Sequence, residues 1–239
     1  MNTIKKSSRI LLKLSGEMLG GDEQAGFSTE ALELVAHEIA DMHHHKKQVA
    51  VVVGGGNIFR GSLAGNLGME RAAADYMGML ATCINGLALQ GILESRHQVS
   101  TRVMTAVHMP ELAEPYIRRK AIKHLEAGRV VVFAGGTGNP FFTTDTAASL
   151  RALETNCEII LKATKVDGIY TSDPKKDPTA EKFQSLTYIE VISKNLKVMD
   201  ATAITMCMEA GLPIKVFKMD EEGCVLRALT DPAIGTLVR

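Results

Sequence analysis

The sequence predicts an α/β fold in which a mainly parallel sheet is covered by helices on both faces. Three observations carry this. Apolar runs alternate with segments of helical period along most of the chain, and the runs are rich in valine, isoleucine and leucine, as strands buried on both faces require. Several of the runs end in small and polar residues dominated by glycine.

Ile10 to Leu14 (ILLKL), closed by Ser15-Gly16, is a short buried strand with Lys13 near its C-terminal end. Ser28 is a good N-cap for the next segment, which sets Leu32, Val35, Ala36 and Ile39 on one face at helical spacing. Val49 to Val53 forms the second strand. A long helix follows from about Met69 to Glu94, then a strand near Val99 to Thr105. Pro115 to Ala127 is expected to be helical and to stop at Gly128, with a strand at Val130 to Phe133 beyond it. A further helix follows Thr143-Thr144-Asp145, and Glu158 to Leu161 is another apolar run. From Asp167 the texture changes: TSDPKKDPTAEKF is rich in Pro, Asp and Lys, and no regular element is expected before Tyr188. The last third resumes with a helix around Met199 to Ala210, a strand at Pro213 to Phe217, a short helix, and a final strand near Gly235 to Val238.

With 239 residues, 46% of them hydrophobic, residues 1–239 are expected to form one domain. The formal net charge of +0 provides no basic field, so neither nucleic acid nor a membrane surface is expected as a partner. Cys83, Cys157, Cys207 and Cys224 are widely spaced with no CxxC pair, and they read as reduced core thiols rather than zinc ligands. His43-His44-His45 cannot converge on a metal from one helix, so no metal site is assigned to protein residues and the triplet reads as a solvated helix end. No basic-then-apolar leader is visible, and no apolar run approaches the roughly 18 residues that span a bilayer. A cytoplasmic location is expected.

LLKLSGE, VVVGGGNIFRG and VVFAGGTGNPFFTTD each run from a strand into a loop. In a parallel sheet the C-terminal strand ends line one edge, where ligands bind. Glycine lets backbone N–H groups approach an anion closely, and Lys13 and Arg60 supply charge, so a polyphosphate fits this set. The familiar phosphate motifs are absent. Gly21 to Gly26 has P-loop spacing, but Phe27 and Ser28 stand where Lys and Ser/Thr are required, and neither glycine cluster continues into GxGxxG. No Ser-His-Asp arrangement or carboxylate pair stands out. An acceptor that is already anionic, such as a phosphate monoester with a second pKa of roughly 6, needs no general base. Catalysis then consists of aligning two anions and neutralising their charge.

KLSGE at 13–17, GGGNIFRG at 54–61, AADYMGMLAT at 73–82, GTGNPFFTTDTAA at 136–148, KATKVDG at 162–168, DPKKDP at 173–178 and VMD at 198–200 resemble, in order and spacing, the bacterial UMP kinases of the amino-acid kinase superfamily. The resemblance covers nearly the whole chain. It implies a three-layer α/β/α sandwich and transfer of the γ-phosphoryl group of ATP to UMP, with Mg²⁺ accompanying ATP. It also implies UMP binding and oligomer formation by roughly residues 1–150 and ATP binding by roughly 151–239.

By position, Lys13, Leu14, Ser15 and Gly16 resemble the ATP-phosphate loop, Gly56 and Arg60 a second phosphate clamp, and Thr164, Tyr170 and Asp173 the adenosine site. Gly55, Asp75 and the run Thr137, Gly138, Asn139, Pro140, Phe141, Phe142, Thr143 and Thr144 resemble the UMP site. Lys13, Arg60 and Asp145 are the implied catalytic set, with Asp145 orienting the lysine, Lys165 a candidate second cation and Asp200 a structural residue. The family is commonly homohexameric and inhibited by UTP, and in many bacteria it is activated by GTP. The segment matching the GTP site is Gly21, Asp22, Glu23, Gln24, Ala25 and Gly26, which is poorer in glycine than in GTP-activated members. Two alternatives stand beside this: a carboxylate or carbamate kinase of the same superfamily, and a catalytically silent pyrimidine nucleotide sensor.

Overall fold

The computed structural model describes residues 9–61, 65, 67–172, 174 and 176–239. Its strands are β1 (Arg9–Leu14), β2 (Gln48–Val53), β3 (Thr101–Thr105), β4 (Glu114–Pro115), β5 (Val130–Ala134), β6 (Ile159–Thr164), β7 (Ser185–Leu186), β8 (Ile214–Lys218) and β9 (Thr236–Val238). They pair into one sheet in the order β4-β3-β5-β2-β1-β6-β8-β9-β7, parallel throughout except where β9 runs antiparallel to β8.

The helices are α1 (Thr29–His44), α2 (Arg71–Ser95), α3 (Arg118–Glu126), α4 (Thr144–Glu154), α5 (Tyr188–Ser193), α6 (Ala201–Ala210) and α7 (Cys224–Thr230). They form a layer on each face, because successive residues of a strand point to opposite sides. Leu12 and Val51 pack with Val35, Ile39, Leu89 and Val225 from α1, α2 and α7. Leu11 and Val52 pack with Leu125, Ala148 and Ile204 from α3, α4 and α6. All four cysteines are buried and unpaired, as expected of core thiols.

Local signals account for most boundaries. The Ser28 hydroxyl accepts from Ala31 N and starts α1, and Thr143 and Asp200 cap α4 and α6 in the same way. His43, at the end of α1, places Nε2 2.7 Å from the Gly128 carbonyl, which joins that helix end to the start of β5.

Three expectations need correction. Pro115 does not open a helix: with Glu114 it pairs with β3 as an edge strand, where a missing N–H costs nothing, and the helix starts at Arg118. The segment before Tyr188 contains β7, and α5 follows under a Thr187/Glu190 capping box. Elements of two and six residues are too short to display a period. The antiparallel β9 leaves the sheet mainly parallel, as expected. Finally, α2 is 25 residues long with a mean hydropathy of 1.3 over an 18-residue window, so by length and composition alone it could cross a membrane. Here 44% of that window is buried within the fold, with Leu89 and Leu93 in the core.

Candidate functional site

The C-terminal ends of β1, β2, β5 and β6 open onto one edge of the sheet, and the ends of β1 and β6 bring cations together. Lys13 of β1 lies in register with Lys162 of β6, so two ammonium side chains emerge side by side on one face. Such a pair repels unless an anion lies between them. Asp145, in the first turn of α4, supplies it: Oδ1 is 2.7 Å from Lys13 Nζ and Oδ2 is 2.8 Å from Lys162 Nζ. Burial pushes the Asp145 carboxyl up, but the two lysines outweigh it and hold the carboxyl below its ordinary value. Burial, with the neighbouring charge of Lys13, depresses Lys162, which also donates to the Val198 carbonyl. Two cations thus share the one carboxylate of Asp145, and the charge of Asp200 also favours the ammonium of Lys162.

Asp200 joins this group from below. It caps α6 by accepting from Ala203 N at 2.8 Å, and its Oδ2 accepts from the hydroxyls of Thr146, at 2.8 Å, and Thr143. The start of α4, and with it Asp145, is thereby fixed to the start of α6.

The glycines allow two loops to meet backbone to backbone. A Cβ on Gly16 would lie 2.6 Å from both the Gly54 carbonyl oxygen and Gly56 N, closer than real contacts permit. A Cβ on Gly55 would lie 2.7 Å from the Ala81 methyl and 2.8 Å from the Gly78 carbonyl of α2. Pressed together in this way, the N–H groups of Gly55, Gly56 and Asn57 have no acceptor among the described residues. A row of free amides beside a cationic set is an anion-binding arrangement.

A cavity of about 280 Å³ lies next to them, between α2 and the loop after β5. Of the residues expected to hold UMP, Gly55, Asp75, Thr137, Asn139, Phe142, Thr143 and Thr144 line it, and Gly56 does too. Gly138, Pro140 and Phe141 do not. Phe141 instead donates its N–H to Asp75 Oδ2 at 2.7 Å, which pins the loop to α2. Arg71 also lines the cavity, its Nε 3.0 Å from both Asp75 oxygens.

Arg60 does not line this cavity. It is exposed, with Nε 3.4 Å from Glu17 Oε1 and Nη2 donating to the Gln24 carbonyl at 3.2 Å. Gly21 to Gly26 is therefore in contact with the second glycine loop, and its first residues form a 3₁₀ turn, Gly21–Glu23. Ala25 and Gly26 are exposed, and Gly26 N donates to the Asn57 carbonyl at 2.8 Å. Lys165 reaches Gln24, lying 2.7 Å from its amide oxygen in the orientation that satisfies both groups. Leu14 and Ser15 follow Lys13 directly, with Leu14 buried in the core.

Of the adenosine set, Thr164 ends β6 two residues beyond Lys162 and donates to the Val166 carbonyl. Tyr170 donates to Asp167 Oδ1 at 2.6 Å, which raises the phenol and lowers the carboxyl. Asp173 lies outside the described residues. A second cavity of about 200 Å³, lined by Asp167, Lys182, Lys218, Asp220 and Arg227 among others, opens near the C-terminal end of β8.

Lys162, Arg71 and the Asn57–Asn85 pair were not singled out from sequence. Arg71 stands at i, i+4 to Asp75, a spacing that could have flagged it. Lys162 reads as one residue of a strand, and only its register with Lys13 gives it meaning.

Comparison with known proteins identifies the family. The sequence model described as the amino acid kinase family matches residues 8–218. The chain is 54% identical over 234 residues to the chloroplastic uridylate kinase PUMPKIN of Arabidopsis thaliana, covering 98% of this chain and 69% of that protein. Among solved structures it is similar to UMP kinase from Bacillus anthracis (TM-score 0.94, 42% identity, 97% of this chain and 96% of that one). UMP kinase from Ureaplasma parvum gives a TM-score of 0.92 at 38% identity, covering 97% of this chain and 98% of the other. Uridylate kinase from Archaeoglobus fulgidus gives 0.70 at 27% identity, over 96% and 99%.

Proposed function

The chain belongs to the amino acid kinase family, and we propose that it is a UMP kinase transferring the γ-phosphoryl group of ATP to UMP to give ADP and UDP. The observation that carries the mechanism is the Lys13–Asp145–Lys162 set beside a row of free amides. A phosphate oxygen of UMP attacks the γ-phosphorus, the bond from that phosphorus to the β–γ bridging oxygen breaks, and ADP leaves with the electron pair. The UMP phosphate is already anionic, so no side chain has to remove a proton. The protein's work is to hold two anions in line and to balance the charge that spreads over the transferring group.

In this reading Lys13 contacts the transferring phosphoryl group, Asp145 aims Lys13, and the Gly16, Gly55 and Gly56 amides hold phosphate oxygens. Asp75 and the 137–144 loop hold the nucleoside of UMP, and Thr164, Tyr170 and Asp173 hold adenosine. Arg60 has to leave Glu17 and Gln24 to reach phosphate. Mg²⁺ is read as arriving on the phosphates of ATP. The described residues contain no group of three His, Cys, Asp or Glu side chains able to hold an ion, and both oxygens of Asp145 face lysines. When bound, such an ion would offset the charge of the ATP phosphates.

Inhibition by UTP and activation by GTP at residues 21–26 belong to the same proposal. Contact of that loop with Arg60 and Asn57 supports it, since a ligand there would touch residues next to the phosphates. Equal rates with and without GTP across a range of ATP concentrations would remove the GTP part. A homohexamer is supported by the exposed apolar side chains of α2. A cytoplasmic setting is proposed from the unpaired thiols; because a chloroplast stroma is reducing too, the relative named as chloroplastic fits the same chemistry.

The direct test is ADP formation from Mg-ATP with UMP, CMP, dUMP, carbamate or N-acetylglutamate as acceptor. Turnover confined to UMP is expected. Turnover with an organic acid would move the chain to the carboxylate or carbamate kinases, and binding of UMP and ATP without ADP formation would make it a sensor.

A further inference from the structure

Asn85 is fully buried in the middle of α2, and Asn57 is 5% exposed in the loop after β2. Two buried amides are costly unless every donor and acceptor is used for something. Here they pair reciprocally: Asn85 Nδ2 donates to Asn57 Oδ1 at 2.7 Å, and Asn57 Nδ2 donates to Asn85 Oδ1 at 3.1 Å. The second hydrogen of each goes to backbone, Asn85 Nδ2 to the Gly54 carbonyl and Asn57 Nδ2 to the Gly26 carbonyl, both at 2.7 Å. Two apolar side chains could fill the same space, but they could not hold either carbonyl.

The Gly54 carbonyl shares a planar trans peptide with the Gly55 N–H, and the two point in opposite directions. Holding the carbonyl against α2 therefore sets the direction of the first of the three free amides. Asn57 acts on the other side of the loop. Its backbone carbonyl and its side chain grip Gly26 N and Gly26 O, and its Oδ1 lies 2.7 Å from where a Gly16 Cβ would stand. One amide pair thus fixes the meeting point of the 13–17, 54–57 and 21–26 segments.

We propose that Asn85 and Asn57 are positioning residues, which aim the Gly55 and Gly56 amides at substrate phosphate by clamping the Gly54 carbonyl to α2. This rests on the kinase reading above and deepens it. Neither side chain needs to touch substrate, so the expected signature is a defect that depends on the phosphate and not on the nucleoside.

The test uses the full chain and compares wild type with Asn85→Asp, which keeps the shape and loses both N–H donors. The loss of kcat/KM for UMP is expected to be at least tenfold, while the inhibition constant of uridine, which carries no phosphate, stays within twofold. Asn57→Ala, which leaves the Asn85 to Gly54 bond in place, is expected to show a smaller loss of the same kind and serves if Asn85→Asp does not fold. Ser149→Ala removes a buried hydroxyl that bonds the Ala203 carbonyl and not these loops, and is expected to leave kcat/KM unchanged. If Asn85→Asp kept kcat/KM within threefold, or if uridine and UMP weakened equally in both asparagine variants, the positioning role would be overturned. Absence of turnover in wild type would instead overturn the kinase reading itself.

Discussion

Lys13 and Lys162 occupy matching positions on adjacent strands, and what makes that tolerable is a single carboxylate. Lys162→Met removes one cation and one partner of Asp145. If Lys162 keeps Asp145, and through it Lys13, in place, kcat should fall by about two powers of ten, on the scale of other preorganised groups, with KM for UMP and ATP changed little. Steady-state kinetics check this, and a large rise in KM for ATP with kcat intact would assign Lys162 to ground-state binding. Asp145 also sets a pH dependence. Its carboxyl is held below the ordinary value of 3.8, so its pairing stabilises the fold fully above that pH and is lost as pH falls through the lower folded value. The urea midpoints of wild type and Asp145→Asn should therefore differ near neutrality and converge as the pH drops below 3.8. Lys13 was legible because Ser-Gly follows it at a strand end. Lys162 was not, since a lysine inside a strand announces nothing until a neighbouring strand fixes its register.

Among the elements, α2 does more than its apolar pattern suggests. Asp75, Thr82 and Asn85 lie seven and three residues apart, which places them on one stripe of the helix. Each holds a piece of loop backbone: Asp75 accepts from Phe141 N, Thr82 Oγ1 accepts from Gly135 N at 2.8 Å, and Asn85 donates to the Gly54 carbonyl. Both loops that border the cavity are thus referenced to one rigid rod. Thr82→Val preserves the volume but leaves the buried Gly135 N–H without its acceptor, at a cost of about 1–3 kcal/mol. The expected result is a lower unfolding midpoint and a several-fold higher KM for UMP, with KM for ATP near its original value; an effect on ATP alone would show that the 135–144 loop does not serve UMP. The strand and helix alternation was readable from sequence because buried strands and amphipathic helices have different periods. The stripe was not, because three polar residues spread over the 75–85 stretch of an apolar helix look like ordinary interruptions. Pro115 misled for a related reason, since proline suits both the first turn of a helix and an edge strand.

For the molecule as a whole, the remaining question is what covers the other side of α2. Tyr76, Met77, Leu80 and Ile84 are 48%, 40%, 50% and 47% exposed and recur at helical spacing, so α2 carries a second apolar face pointing away from the sheet. A bilayer is a poor occupant, because the opposite face holds Leu89 and Leu93 in the core and the helix cannot leave without opening it. A second copy of the chain presenting the same helix buries both faces at once, which is how a two-fold contact within the proposed hexamer would form. Replacing Leu80 and Ile84 together by Glu puts charge into that contact and leaves the core untouched. In sedimentation the wild-type chain should run at about six chain masses and the double variant at a smaller, defined size. Because Ile84 adjoins Asn85, the variant should also lose some UMP turnover even at concentrations where its fold is intact by circular dichroism. A wild-type chain that sediments as a monomer at micromolar concentration would mean that the exposed stripe serves some other contact, and α2 would then be a scaffold for the site alone.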